Sequence, residues 1–382
     1  MMKVKISELY DVGSSKRVFQ SEWKDSGIPF YRAREIAKLA IDGYVDNELF
    51  IDEELYETYV ARYGKPQSGD VMITGVGTLG VCYVVQESDR FYFKDGNILW
   101  FRQKAPDRIL PEFLVKAFAS QEIKDYISKN SSGTTVGTFT IQTANKMEIT
   151  LPSIEEQRVI ISKISLVEEI IKNRKKELQK LDELVKARFV ELFGSVENNE
   201  FGYEIMNIQD VCEPIKDGTH QTPTYTNDAE KGYKFLSSKD VTSGKIDWAH
   251  LKYIPEELHN ELYKRLSPRK GDILLAKNGT TGVAAIVDRD EVFDIYVSLA
   301  LLRPLGTVTS EYLCAAVNSA ETKRQFDNSL KGIGVPNLHL GEIKKTKIIV
   351  PPMERQNHFA TFVKQVDKSK VVCVMALQAI LE

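Results

Sequence analysis

Leu151-Pro152-Ser153-Ile154-Glu155-Glu156-Gln157 returns, 199 positions on, as Val350-Pro351-Pro352-Met353-Glu354-Arg355-Gln356. Each copy follows a β-rich stretch, Ile149 answering to Ile348, and each leads into a helical pattern. Upstream, Gly69-Asp70-Val71-Met72-Ile73-Thr74-Gly75-Val76-Gly77-Thr78-Leu79-Gly80-Val81 aligns without gaps on residues 271–283, now at a shift of 202. Phe30 to Ile36 resembles Phe235 to Val241, and Arg102 and Arg303 close the same apolar strand pattern. Self-similarity on this scale marks a duplicated fold.

The stretch 155–193 carries the clearest periodicity. Ile160, Ile164, Val167, Ile171, Arg174, Leu178, Leu181, Val185, Arg188 and Leu192 advance by alternating steps of four and three. Eight of these ten are apolar, which predicts a helix packed lengthwise on another helix. Ser153 and Glu156 form an S-x-x-E capping box at its start, and Gly194 can end it. At about 1.5 Å per residue the rod is roughly 58 Å long, so it reads as a spacer. In the second copy Phe359, Val363, Val366, Lys370, Cys373, Leu377 and Ile380 keep the same steps. The simplest partner for each stripe is the other, while Arg174, Arg188 and Lys370 read as register-setting or edge positions or as contacts for a partner subunit. By the repeat's register the second helix would end near residue 393, about three turns past Glu382.

Both globular halves read as mixed α+β, rich in short strands. Strands are expected at 71–74, 81–85 and 98–102 with a helix over 112–129, and at 273–276, 283–287 and 297–303 with a helix over 310–330. The expected domains are 1–150, a helical spacer 151–195, 196–349, and a shortened helical spacer 350–382. A length of 382 residues and 42% hydrophobic content suffice for two or three cores. No apolar run approaches the roughly 20 residues of a membrane span. The N-terminus has no signal-peptide core, so cytoplasm is the expected compartment and no membrane is an expected partner. Cys82, Cys212, Cys314 and Cys373 lack metal spacing and read as reduced structural thiols. A net charge of −3 does not advertise nucleic-acid binding, so any DNA contact needs locally clustered basic residues or cations added by partners.

Gly75-Val76-Gly77-Thr78-Leu79-Gly80 matches G-x-G-x-x-G, but a β-type run follows at once and the duplicate has Lys277 at the first glycine. A dinucleotide site needs a helix N-terminus there, so a strand-connecting loop is the better reading. Thr74, Thr78, Lys277, Asn278, Thr280 and Thr281 are small polar or basic groups on this loop, suited to phosphates and base edges. Lys216, Thr219, His220 and Gln221 form another polar turn, with Lys16 and Arg17 at the comparable place in the first half. Arg32, Arg34 and, opposite in the repeat, Lys239 are further candidate contacts. For each of these a solvated charge or a plain turn is the alternative. Walker, nucleophile-elbow, H-E-x-x-H, zinc-spacing and amino-methyltransferase motifs are missing from the sequence, so no catalytic or metal site is expected.

With its two variable halves, each followed by the Pro152/Glu155/Gln157 or Pro351/Glu354/Gln356 entry into a long helix, and with the Gly271–Gly282 element and its counterpart, the chain resembles the specificity (S) subunits of type I restriction-modification enzymes. The resemblance spans the whole chain and rests on order and spacing more than on any one motif. It implies a pseudo-twofold molecule in which the two helices pair antiparallel as a coiled coil and hold two target-recognition domains apart. Each domain would read one half of a bipartite double-stranded DNA target, and helix length would set the unread gap. It also implies two methyltransferase (M) subunits and up to two restriction (R) subunits as partners, which bring S-adenosylmethionine, ATP and Mg²⁺. The chain itself is then not an enzyme and holds no cofactor. Alternatives are a specificity subunit of a type IIB-like system and, in a different class, a coiled-coil scaffold without DNA affinity.

Overall fold

The computed structural model describes residues 2–131, 137–226, 229–241, 244–330 and 336–381. It divides into two compact units, Met1–Ile170 and Ile171–Glu382, so the first long helix belongs half to each. The expected separate spacer at 151–195 is therefore shared between the units.

In the first unit a four-stranded antiparallel sheet runs in the order Tyr10–Gly13, Ile98–Gln103, Val71–Thr74, Cys82–Val84. Its central strand Val71-Met72-Ile73-Thr74 is buried throughout, which is why it reads as a continuous apolar run. The two-residue alternation still decides which core each side chain enters. Val71 and Ile73 pack with Leu99, Phe101, Phe113 and Phe118. Met72 turns the other way, towards Ile36, Phe93, Ile98 and Trp100. A smaller sheet contains the parallel pair Ile28–Tyr31 and Tyr92–Phe93, and Met2–Lys5 pairs antiparallel with Glu148–Leu151.

The second unit repeats this plan. Its main sheet runs Lys216–Asp217, Leu299–Leu302, Ile273–Ala276, Ala284–Ile286. Ile273 and Leu275 enter one core, and Leu274 and Ala276 the other. Tyr233–Leu236 lies parallel to Phe293–Ile295, and Glu204–Asn207 pairs with Lys347–Val350. All four cysteines are buried and free. No helix among the described residues is long and apolar enough to cross a membrane.

Two expected helices are each broken in two. In place of 112–129 there are Pro111–Phe118 and Gln121–Asn130, and in place of 310–330 there are Ser310–Val317 and Ala320–Ser329. The breaks fall at Ser120 and Ser319, 199 residues apart. Their hydroxyls accept the backbone N–H groups of Ile123 and Thr322 at 3.4 and 3.1 Å and cap the start of new helices.

The long helices are Ile154–Phe193 and Met353–Leu381. The capping box forms, with Ser153 N–H donating to Glu156 at 2.8 Å, and Gly194 ends the helix at φ +68°. Within the second unit the helices run antiparallel. The Phe359 ring lies 5.6 and 5.5 Å from those of Phe189 and Phe193, and Arg188 lies over Phe362. Further along, Lys370 pairs with Asp182 at 2.6 Å and the Cys373 thiol donates to the Arg174 carbonyl at 3.4 Å. Ile171, Leu178, Leu181, Val185 and Leu192 face inward, as do Phe359, Val363, Val366, Leu377 and Ile380, so the four-and-three stripe is the buried side of both helices here. The seam stops short in the first unit. Ile160 packs with Ile161 on its own unit's core, whereas Ile164 and Val167 lie outside that core, 37% and 41% exposed.

The opening echo has a structural cause. Gln157 is fully buried; its amide oxygen accepts Leu110 N–H at 2.8 Å, and its amide nitrogen donates to the carbonyls of Arg108 and Pro152 at 2.8 and 2.9 Å. Gln356 does the same with Thr309 N–H and the carbonyls of Thr307 and Pro351. Every partner is shifted by 199. Each glutamine thus ties the first turn of a long helix to the loop that opens the helix packed on the main sheet.

Candidate nucleic-acid interface

Four strand ends meet at one edge of each main sheet. In the first unit they are the ends at Gly13 and Thr74 and the starts at Cys82 and Ile98. Hydrogen bonds lace the connecting loops together there. Gly75 N–H donates to the Asn97 carbonyl at 2.8 Å, Ser14 Oγ to Ile98 at 3.1 Å and Ser15 Oγ to Phe93 at 2.6 Å. In the second unit Thr219 N–H donates to Ile295, Val297 N–H to Thr219 and Lys277 N–H to Ser298, at 2.9 to 3.1 Å. Both units therefore gather the 14–17 or 218–221 loop and the 75–80 or 277–282 loop on one edge.

The glycines of Gly75–Gly80 serve this geometry. A Cβ at Gly75 would lie 2.6 Å from Leu99 and 3.0 Å from the Phe139 carbonyl, while Gly77 and Gly80 take φ of +72° and +76°. A strand follows the loop, so no helix N-terminus is available for a pyrophosphate.

The candidate residues separate into presented and inward groups. Thr74 is buried, its hydroxyl donating to the Thr78 carbonyl and accepting Val81 N–H at 3.0 Å, so it shapes the loop and is not presented. Thr78 is exposed. Lys277 is also inward, because its ammonium lies 3.2 Å from the buried Asp217 carboxylate. That same carboxylate holds His220 Nε2 at 3.3 Å, leaving the ring 72% exposed. Thr219 is buried and accepts Gln221 N–H at 3.2 Å, with Gln221 itself exposed. Asn278 is half-buried, bridged to Asn337, with Thr280 exposed and Thr281 half-buried beside it. Lys216 is exposed and reaches the Arg265 carbonyl, and Lys239 is exposed on the turn that joins this edge through Ser238 and Ser298.

In the first unit Lys16 and Arg17 are exposed, Arg17 paired with Asp95 at 3.0 Å. Arg32 and Arg34 are held by carboxylates. Both bind the buried Glu35, at 2.7 and 2.9 Å, and Arg34 also binds Glu48 at 2.8 Å. Burial raises the Glu35 carboxyl, but hydrogen bonds from Arg32 and Arg34 outweigh it and bring it down to about 2. A group depressed in this way contributes stability above its unfolded value that is lost as pH falls through the folded one. The first unit should accordingly lose stability between about pH 4.5 and about 2. Glu35→Gln should flatten that dependence in acid denaturation followed by circular dichroism, and an unchanged acid limb would refute the assignment.

Sequence reasoning missed three parts of the second edge. Asp217 is not among the sequence candidates, yet it holds both Lys277 and His220. Tyr225 is 42% exposed with the Lys252 ammonium 4.0 Å above its ring, a cation and an aromatic interleaved on the surface. Finally, His259 forms a buried pair at 2.7 Å with Asp294, which lies on the strand whose Ile295 carbonyl accepts Thr219 N–H. Lys252 and Tyr225 offered a signal, basic and aromatic residues near His220, but their adjacency is created by the bridge between Thr226 and Tyr253.

Two α+β units, each presenting a polar, cation-bearing loop edge at equivalent strand ends, define a duplicated binding module. The family model for the type I restriction modification DNA specificity domain matches residues 1–183 and 201–372, and the chain belongs to that family. The MjaVIII type I restriction enzyme specificity subunit of Methanocaldococcus jannaschii is 24% identical over 269 residues, 65% of this chain and 62% of that protein. This chain thus spans under two thirds of the length of that curated relative. Among solved structures, the type I restriction-modification S subunit from M. genitalium superposes with a TM-score of 0.53 at 13% identity, covering all of this chain and 92% of that one. A chain solved in work on complex assembly and conformational transition of a type I R-M system gives 0.60 at 18%, covering all of this chain and 96% of that one. Those likenesses establish the shared fold.

Proposed function

We propose that this chain is the DNA-reading subunit of a type I restriction-modification system, each unit reading one half of a bipartite duplex target. The observation that carries this is the edge built twice on equivalent strand ends but furnished differently. Thr78 with Lys16 and Arg17 occupies one edge, and His220, Gln221, Asn278 and Thr280 the other. Identical frames with different side chains suit two different base sequences, since specificity lies in base-edge contacts and positioning in phosphate contacts. The paired helices set the gap between the half-sites, which must respect the roughly 34 to 36 Å turn of DNA. Methyltransferase subunits dock on the helical regions and supply S-adenosylmethionine chemistry. Restriction subunits supply the ATP- and Mg²⁺-dependent cleavage, so this chain contributes recognition and no reaction of its own.

Selection from a randomised duplex pool, by the chain together with its methyltransferase subunits, should return two short motifs at a constant spacing. A single contiguous motif, or no enrichment, would overturn the reading.

A further inference from the structure

In the first unit the loop bearing Lys16 and Arg17 lies on the aromatic face of the helix Glu53–Tyr63. Tyr92 OH accepts Lys16 N–H at 3.0 Å, and Tyr59 OH donates to the Arg17 carbonyl at 3.3 Å. The rings of Tyr59 and Tyr92 meet at 5.5 Å, and Tyr63 closes on Tyr59 at 6.0 Å. Tyr63 is 37% exposed and has two cations over it, the Lys16 ammonium at 6.0 Å and the Arg62 guanidinium at 5.4 Å.

Unlike Arg17 on the same loop and Arg90 beside the same helix, these two cations lack a counter-charge. Arg17, Arg32, Arg34 and Arg90 all pair with carboxylates in this unit. Among the described residues no carboxylate lies within ion-pair distance of Lys16 or Arg62, although both are exposed. The second unit repeats the arrangement with different residues. The helix Glu256–Arg265 ends in Lys264 and Arg265, Lys216 reaches the Arg265 carbonyl at 3.5 Å, and Arg265 donates to the Asp217 carbonyl at 2.8 Å. Again, among the described residues, none of these three cations has a carboxylate partner. Cations in a last helical turn also favour the helix dipole. That role does not explain why a cation from a separate loop joins them in both units.

We infer that the C-terminal turn of this helix, Arg62-Tyr63 in the first unit and Lys264-Arg265 in the second, forms with Lys16 or Lys216 a contact for DNA backbone phosphates beside the base-reading loops. The inference rests on the DNA reading proposed above. Unpaired ammonium and guanidinium groups attract the polyanion, and the Tyr63 ring fixes the spacing of two of them. A phosphate contact positions the duplex without choosing its sequence.

The test is a salt titration of binding to a mixed-sequence duplex and to the selected bipartite duplex, using the chain with its methyltransferase subunits. Each phosphate contact contributes about 0.9 to the slope of log K against log salt. Lys16→Gln with Arg62→Gln should reduce that slope by about two on both duplexes. Thermal melting should shift by no more than a few degrees, because the side chains are exposed and their contacts with the Tyr63 ring and the helix end are weak. Arg62→Lys should restore about half of the lost slope. An unchanged slope while the parent protein still binds its bipartite site would overturn this contact alone. A parent protein with no salt-dependent DNA binding would overturn the DNA reading as well.

Discussion

Replacing Gln356 by alanine should lower the unfolding free energy of the second unit by about 3 kcal/mol. Three hydrogen bonds disappear with the amide, and the residue is fully buried. Their partners, Thr309 N–H and the carbonyls of Thr307 and Pro351, are left in a space that an alanine methyl does not fill. An unsatisfied buried group costs about 1 to 3 kcal/mol, and water entering the vacated volume recovers part of the total. The loss should appear as a lowered denaturation midpoint, because the clamp joins the long helix to the loop beginning at Thr307. Gln157→Ala should do the same to the first unit through Arg108, Leu110 and Pro152. A change below about 1 kcal/mol in both variants, measured by urea titration, would show the clamps to be dispensable.

That clamp illustrates which features of this chain were legible before its structure. The seam from Ile171 to Leu192 and from Phe359 to Ile380 could be read because a heptad is a local pattern whose apolar positions all face the same neighbour. The duplicated strands were equally plain, since Val71–Thr74 and Ile273–Ala276 are buried on both faces and apolar at every position but Thr74, whose hydroxyl is bonded within its own loop. Gln157 and Gln356 were visible as an echo, but their purpose was not. Two of the three partners of each lie 47 and 49 residues away and meet it only through packing.

The edge was legible in outline and not in detail. Composition marks which loops are polar but not which way a side chain turns, so Thr74 and Lys277 were expected on the surface and lie within the fold. Arg32 and Arg34 carry the residue types that bind phosphate, yet Glu35 one and three positions away already occupies them. Ile164 and Val167 continue the heptad past the region where the globular core covers the helix. In each case the deciding neighbour comes from tertiary structure or from a carboxylate that a search for cations passes over.

The most severe effect on recognition is expected from Gly218→Ala. A Cβ at Gly218 would fall 2.0 Å from the Ile295 carbonyl oxygen, 2.4 Å from its carbon and 2.5 Å from the Tyr296 carbonyl carbon. All three are backbone atoms, of the strand Phe293–Ile295 that His259 holds through Asp294 and of Tyr296 next to it, so no side-chain rotation relieves the clash. The loop must therefore lift. Its departure would break the exchange of hydrogen bonds between Thr219 and residues 295 and 297 and draw Asp217 away from Lys277 and His220. Overpacking against a fixed neighbour costs about 1 to 3 kcal/mol, and the middle of that range, about 2 kcal/mol, corresponds to roughly 30-fold in affinity. The loss should fall on the half-site read by the second unit, with the other half-site bound as before. Gly341→Ala is the matched control, because nothing lies within 4 Å of a Cβ placed there, and it should stay within about twofold. Footprinting on duplexes altered in one half-site at a time separates the cases. An equal loss at both halves would mean that Gly218→Ala acts through general unfolding, and an undiminished second footprint would mean that the 217–220 loop does not touch DNA.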